Sequence, residues 1–402
     1  MKYIVILADG MADEPITELN GLTPMEYART PAMDDLASKG IMGLVRTVPE
    51  AMKPGSDVAN LSVLGYDPRS NYSGRSPLEA LSVGVPMGND DVVFRCNLVT
   101  LSDRGAYEDK IILDHSSGEI STQEAASLMD AIRTELESDG VSFYNGTSYR
   151  QIALWNGGQV LDLEPPHDHL GEVIGPFLPE HPLFRQMMEK SFAILDRHPV
   201  NLRRAEQGKN KANSLWFWGA GTKPTLQDFY KKTGLRGTMI SAVDLLKGIA
   251  AGTGIQVVEV DGATGSLDTN YIGKANAAIK ALLDDGRDFV YLHVEAPDEM
   301  GHQGNACHKV QAIEAIDKDI VAVIKDALDR SGEPYRMLVL PDHPTPVQLR
   351  THTSDPVPFL LFDSVKQRRA IAHFSEKEAK MTGILEPEGY QLLRMLLGTC
   401  DG

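Results

Sequence analysis

The sequence predicts an α/β fold: a mostly parallel sheet with helices on both faces, plus a smaller α+β insert. Three observations predict it. Apolar runs of strand length, such as Lys2–Ala8, suit strands buried on both faces. From residue 211 onward, strand and helix patterns alternate in the manner of βαβ units. Between residues 89 and 210 the order changes to strands, a helix and more strands, the pattern of a compact insert. The expected division is therefore 1–88 with 211–402 as one discontinuous domain, and 89–210 as the insert.

Composition narrows the function. The chain has 402 residues, 42% hydrophobic and 24% charged, enough for a sizeable core. A net charge of −17, with no cluster of basic residues, disfavours a nucleic-acid surface. Three scattered cysteines, Cys96, Cys307 and Cys400, indicate neither a disulfide framework nor a zinc knuckle. No membrane-spanning run or leader is apparent, so a cytoplasmic protein is expected. The oligomeric state is not readable.

The first strand, Lys2–Ala8, stops at Asp9-Gly10. Thr30-Pro31 reads as the cap and first residue of a helix closed by Gly40, and a short strand follows from Ile41 to Val48. Pro54-Gly55 makes a turn, and the apolar spacing after it places Ser56 at a helix N-terminus, where backbone N–H groups favour negative charge. In the insert, strands are expected over 92–100 and 149–155. Ser121 opens a helix with a capping box (Thr122 is a second candidate cap), and helical spacing covers 183–195.

Lys211 to Trp218 reads as the strand on which the main domain resumes. Helical spacing then joins Ile240, Val243, Leu246 and Ile249, before a strand over 255–260. A helix over 271–283 places Ile272, Ala275, Ile279 and Leu282 on one face, and the strand 288–294 leads to Asp298 and His302. One long helix carries Ile313 to Ala327. An apolar run from Met337 ends at Pro341, directly before Asp342 and His343, and the last strand is 357–362.

Four places thus offer metal ligands: Asp9, Ser56, Asp298 with His302, and Asp342-His343 with His352. The three acids lie at or just beyond the carboxyl ends of strands, where open α/β sheets gather ligands. Asp298 and His302, spaced i, i+4, share one face of a helical turn and can grip one ion. Seven oxygen and nitrogen donors are too many for one tetrahedral ion but suit two ions about 4 Å apart. Such a pair stabilises an in-line phosphoryl displacement, with Ser56 as the natural nucleophile.

Ile6-Leu-Ala-Asp9-Gly-Met, Pro54-Gly-Ser56-Asp57-Val-Ala-Asn-Leu, Gly74-Arg-Ser-Pro-Leu-Glu-Ala, Phe94-Arg95-Cys-Asn, Ala296-Pro-Asp298-Glu-Met-Gly-His302 and Pro341-Asp342-His343-Pro-Thr-Pro through His352-Thr-Ser-Asp-Pro resemble, in that order, the archaeal-type cofactor-independent phosphoglycerate mutases. These belong to the alkaline phosphatase superfamily. The resemblance implies an alkaline-phosphatase-like fold and a glycolytic isomerase passing phosphate through a phosphoserine on Ser56. It implies one manganese or zinc ion (magnesium is possible) on Asp298, His302 and His352, and a second on Asp9, Ser56, Asp342 and His343. It further implies an insert closing over a small phosphorylated metabolite, with Arg95 and Arg150 gripping its anionic groups and His115, Arg204 and Lys211 behind them.

Two positions depart from that pattern. Asn60 stands where many of these mutases carry His, and Trp216-Phe-Trp218-Gly stands where an apolar pair followed by Arg-Gly is common. The aromatic variant looks like a bacterial subgroup proposed to phosphorylate homoserine. A homoserine kinase-like phosphotransferase is therefore one alternative, although no P-loop is present to name its donor. A metal-dependent phosphomonoesterase is the other.

Overall fold

The computed structural model describes residues 1–103, 105–137, 140–367 and 373–399; Cys400 lies outside them. In chain order the strands are β1 Lys2–Ala8, β2 Ile41–Val45, β3 Val92–Leu101, β4 Ile112–Asp114, β5 Val141–Tyr144, β6 Arg150–Trp155 and β7 Ser214–Thr222. They continue with β8 Gly237–Ile240, β9 Gln256–Val257, β10 Phe289–Val294, β11 Tyr335–Leu340, β12 Val357–Asp363 and β13 Leu385–Glu386. The chain divides into two compact units, 1–72 with 225–402, and 73–224. Residues 73–88 and 211–224, given to the larger domain by the sequence reading, fall in the smaller unit. The reason is β7, which pairs antiparallel with β3 from Val92↔Thr222 to Val99↔Ser214.

The larger unit is built on an eight-stranded sheet in the order β13-β2-β12-β11-β1-β10-β8-β9. Only β12 runs antiparallel to its neighbours, β11 and β2; every other adjacent pair is parallel. Along β1, Ile4, Ile6 and Ala8 join one core cluster with Val290, Leu292, Ala275 and Ile313, while Val5 and Leu7 are fully buried on the alternate face. Burial on both faces is why β1 is apolar at every position rather than at every second one. The registers Ala8↔Val294 and Leu7↔Leu340 bring the carboxyl ends of β10, β1 and β11 side by side. Three acidic loops therefore leave one edge of the sheet together.

Local readings shift in four places. Ile240 ends β8, and the helix after it begins only at Asp244. The strand expected over 255–260 is reduced to Gln256–Val257. On the helix Tyr271–Leu283, Ile272 is exposed while Tyr271, Ala275, Ala278 and Leu282 turn inward. The long helix is broken into Ala306–Ile316, a π turn at Asp317–Val321, and Ala322–Ser331.

That π turn explains a fifth correction. Thr30 precedes the helix Pro31–Ala37 but its side chain makes no capping bond. Asp317 caps it instead, accepting from the backbone N–H groups of Ala32 at 3.1 Å and Met33 at 2.7 Å. Burial pushes the Asp317 carboxyl up to about 6 even with these two donors. An unfolded Asp titrates near 4, so its contribution to stability is fully present below about pH 4 and lost as pH rises through about 6. Asp317→Asn is expected to flatten the pH dependence of the urea midpoint across that window. An unchanged slope would show that Asp317 does not set it.

The smaller unit holds a five-stranded sheet, β4-β3-β6-β5 with β7 on β3, and all these pairs are antiparallel. The helices Thr122–Leu136 and Pro182–Leu195 bury Leu128, Met129, Ile132, Phe184, Met188 and Leu195 in the cluster that also holds Phe94, Trp216 and Phe217. Ser121 is the cap of the first helix, accepting from Glu124 N–H. Thr122 instead accepts from Ser148 N–H. No helix among the described residues is long and apolar enough to cross a membrane.

Candidate metal and phosphoryl-transfer site

The carboxyl edge of the larger sheet gathers all seven proposed ligands. Asp9 follows β1 directly. Asp298 lies in the short helix Ala296–His302 after β10, and Asp342-His343 follow β11. Gly10 adopts φ +62° in the turn after Asp9; a Cβ there would lie 2.6 Å from Asp298 Cα. Glycine at this position lets the β1 and β10 loops approach closely.

Ser56 is the first residue of the helix Ser56–Val63, entered through an extended Gly55. Its Oγ is 3.3 Å from Asp9 Oδ2 and 3.2 Å from His343 Nε2. Asp9, Asp342 and His343 form one convergent group of possible metal ligands, and Asp298, His343 and His352 form another, with donor atoms within 4.8 Å of one another in each. His302 completes the second side, its Nε2 lying 3.2 Å from Asp298 Oδ2 and 3.0 Å from His352 Nε2. His343, assigned by the resemblance to one ion, thus stands between the two groups.

The surrounding hydrogen bonds orient these donors. Thr345 Oγ1 donates to Asp298 Oδ1 and lies 3.3 Å from His343 Nδ1. A hydroxyl that has given its only proton must accept there, so His343 carries its proton on Nδ1 and turns an unprotonated Nε2 toward Ser56 and Asp9. His302 Nδ1 lies 3.0 Å from the carbonyl of Arg350, which aims the other ring nitrogen at Asp298. Asn60 links three elements. It donates to Asp342 Oδ2 at 2.9 Å and to the Ser56 carbonyl at 2.8 Å, and accepts from Tyr291 OH at 2.6 Å.

The electrostatics call for a cation. Asp9, Asp298 and Asp342 are buried within one small region. Burial, and the nearby charges of Asp342 and Asp298, push the Asp9 carboxyl well above its ordinary range. Burial also opposes ionisation of Asp298, but hydrogen bonds from His302 and His352 outweigh it and hold that group well below its usual value. His302 is raised to about 9, chiefly by its bond to Asp298. Asp9 Oδ1 is buried with no hydrogen-bond partner. An orphaned carboxylate oxygen among carboxylates and imidazoles costs several kcal/mol unless a cation meets it, so the donor set fits divalent metal.

Sequence reasoning missed His293, Tyr291 and Thr345. His293 Nε2 is 2.9 Å from Asp9 Oδ2. Burial holds His293 down at about 4. The available signal was the pattern of β10, where Tyr291 and His293 occupy alternate positions of an otherwise apolar strand and so share a face.

The residues expected to bind substrate all lie in the smaller unit, and two of them are committed elsewhere. Arg204 is 3% exposed and bonds Glu124, the Ser117 carbonyl and the Asn210 carbonyl. Lys211 pairs with Asp196 at 2.9 Å. Both hold the unit's own fold. Arg95 is gripped by Glu79 through two hydrogen bonds and lies 4.5 Å from the Trp218 ring centroid. Arg150 is exposed, its guanidinium 5.2 Å from the Tyr149 ring. His115, whose Nδ1 is buried without a partner, packs edge-on against Tyr149 and His167. Of the two tryptophans, Trp216 is a core residue donating to the Glu164 carbonyl, so only Trp218 lies with the polar cluster.

Residues 37–201 match the model of the 2,3-bisphosphoglycerate-independent phosphoglycerate mutase family. A Geobacter sulfurreducens protein named as a probable mutase of this kind is 48% identical over 99% of this chain and 100% of its own length. The Methanosarcina mazei mutase is 49% identical over 94% and 95%. Among solved structures, a Pyrococcus horikoshii protein superposes with a TM-score of 0.83 at 31% identity, covering 99% of this chain and 96% of its own. The cofactor-independent phosphoglycerate mutase of Thermoplasma acidophilum gives 0.68 at 26% identity, with full coverage of both.

Proposed function

Because the chain belongs to the 2,3-bisphosphoglycerate-independent phosphoglycerate mutase family, we propose that it interconverts 2- and 3-phosphoglycerate by carrying the phosphoryl group on Ser56. The observation that supports this most is the placement of Ser56 Oγ between Asp9 and His343, at a helix start beside two convergent ligand groups. Asp9, Ser56, Asp342 and His343 would hold one divalent ion, and Asp298, His302 and His352 the other. When bound, the ions neutralise charge on the phosphoryl oxygens and lower the pKa of the serine hydroxyl.

Ser56 Oγ attacks phosphorus in line. The bond from phosphorus to the substrate oxygen breaks, and that oxygen leaves with a proton as the glycerate hydroxyl. The serine proton has an acceptor in Asp9 Oδ2, 3.3 Å away. In the return step the other glycerate hydroxyl attacks the phosphoserine, loses its proton and restores Ser56. Asn60 steadies the Ser56 carbonyl and Asp342 together through the two N–H groups of its amide, while its oxygen accepts from Tyr291. Within the smaller unit, Arg150 and His115 are assigned to the substrate's anionic groups. Arg95, already neutralised by Glu79, contributes a stacked wall with Trp218.

Removal of metal tests the reading. Chelation is expected to abolish turnover of 3-phosphoglycerate and to lower the melting temperature, because the ions tie together segments distant in sequence. Manganese should restore both. Turnover that persists through exhaustive chelation would exclude a metal-dependent centre.

A further inference from the structure

The side chain of His293 is fully buried at the foot of the site, on β10, and no proposed step uses it. Its hydrogen bonds have a defined direction. Val243 N–H donates to Ser241 Oγ at 3.1 Å, occupying a lone pair of that hydroxyl. Ser241 Oγ is 3.2 Å from His293 Nδ1. If His293 donated there as well, the unprotonated Nε2 would face a carboxylate oxygen 2.9 Å away, lone pair against lone pair. The consistent arrangement is the reverse: Ser241 donates to Nδ1, and Nε2–H donates to Asp9 Oδ2. The backbone is pinned too, since the buried Lys274 ammonium donates to the His293 carbonyl at 3.3 Å.

Asp9 is thereby hydrogen-bonded through one oxygen only. Its Oδ2 accepts from His293 and from Ser56, while its Oδ1 is buried without a hydrogen bond, 3.7 Å from His343 Nε2. A carboxylate free to turn about its own bond would present either oxygen. We propose that His293 is a positioning residue of the metal centre: oriented by Ser241, it fixes Asp9 so that Oδ1 is the oxygen offered to the cation. The inference rests on the metal reading above and adds to it a residue outside the seven ligands. Partners that orient a ligand in this way are worth about 10–100-fold in metal affinity.

The test is a manganese titration followed by electron paramagnetic resonance of free ion, on the full chain as wild type, His293→Leu, His293→Gln and Ser241→Ala. His293→Leu should bind manganese about 10–100-fold more weakly. His293→Gln, whose amide N–H reaches a similar point, should recover most of that loss, and Ser241→Ala should lose several-fold. A merely structural role would lower the melting temperature of the metal-free protein without this ordered change in affinity. Wild-type affinity in His293→Leu overturns the inference and leaves the metal reading standing. Failure of wild type to bind manganese overturns both. If circular dichroism shows that His293→Leu is unfolded, Ser241→Ala decides: weakened binding supports the relay, and unchanged binding refutes it.

Discussion

Ser56→Ala is expected to lower kcat for 3-phosphoglycerate by at least about a thousandfold, the scale on which loss of an attacking nucleophile is felt. The same variant should retain manganese, since six other donors remain in place. The helix Ser56–Val63 should also persist, because Ala is the best helix former at its first position. A coupled assay for 2-phosphoglycerate, run beside a manganese titration, separates the two effects. Turnover near the wild-type rate would remove Ser56 as the phosphoryl carrier. Loss of metal and turnover together would instead make Ser56 chiefly a ligand.

The largest expected effect on stability comes from Lys309→Met. Lys309 and Asp13 form an ion pair at 2.6 Å with both side chains fully buried. The ammonium also donates to the carbonyls of Ala12 at 3.2 Å and Thr345 at 2.9 Å. Asp13 in turn accepts from the backbone N–H of Val347 and Glu14. The pair thus fastens the helix Ala306–Ile316 to the loop after β1 and to the loop bearing Thr345. Removing the cation strands a carboxylate in the interior, at about 3–5 kcal/mol. Urea unfolding should show that loss, and adding Asp13→Asn to Lys309→Met should recover part of it because the two changes share one interaction. A change under about 1 kcal/mol would mean that water reaches Asp13 once the lysine is gone.

The three acids of the proposed ligand set stood out in the sequence because they follow strand ends. Asp9, Asp298 and Asp342 each come just after an apolar run, and a parallel sheet places such runs side by side. What could not be read was the hydrogen bonding that orients them. His293 and Tyr291 lie inside an apolar strand, where periodicity registers only burial. Thr345 resembles any loop threonine until the fold brings it against Asp298. Thr30 has the residue type of a helix cap, yet a π turn far along the chain supplies Asp317 in its place, and no local rule anticipates a partner so distant in sequence.

The extent of the smaller unit is hidden from the sequence for a related reason. Ser214–Thr222 reads as a strand in either unit; only its pairing with β3 assigns it to the smaller one. Arg204 and Lys211 show the limit for charged residues. Residue type marks them as candidates for an anion, but partner and burial decide, and both are occupied by carboxylates of their own unit.

The central claim is that phosphate moves between two hydroxyls of one substrate through Ser56. Phosphorus NMR of the manganese-loaded protein with 3-phosphoglycerate tests it most directly. The account predicts growth of the 2-phosphoglycerate resonance without free phosphate, and no growth with Ser56→Ala. Free phosphate in place of 2-phosphoglycerate would contradict it and indicate a phosphomonoesterase. An unchanged 3-phosphoglycerate signal would contradict it as well, and would turn attention to a separate acceptor such as homoserine.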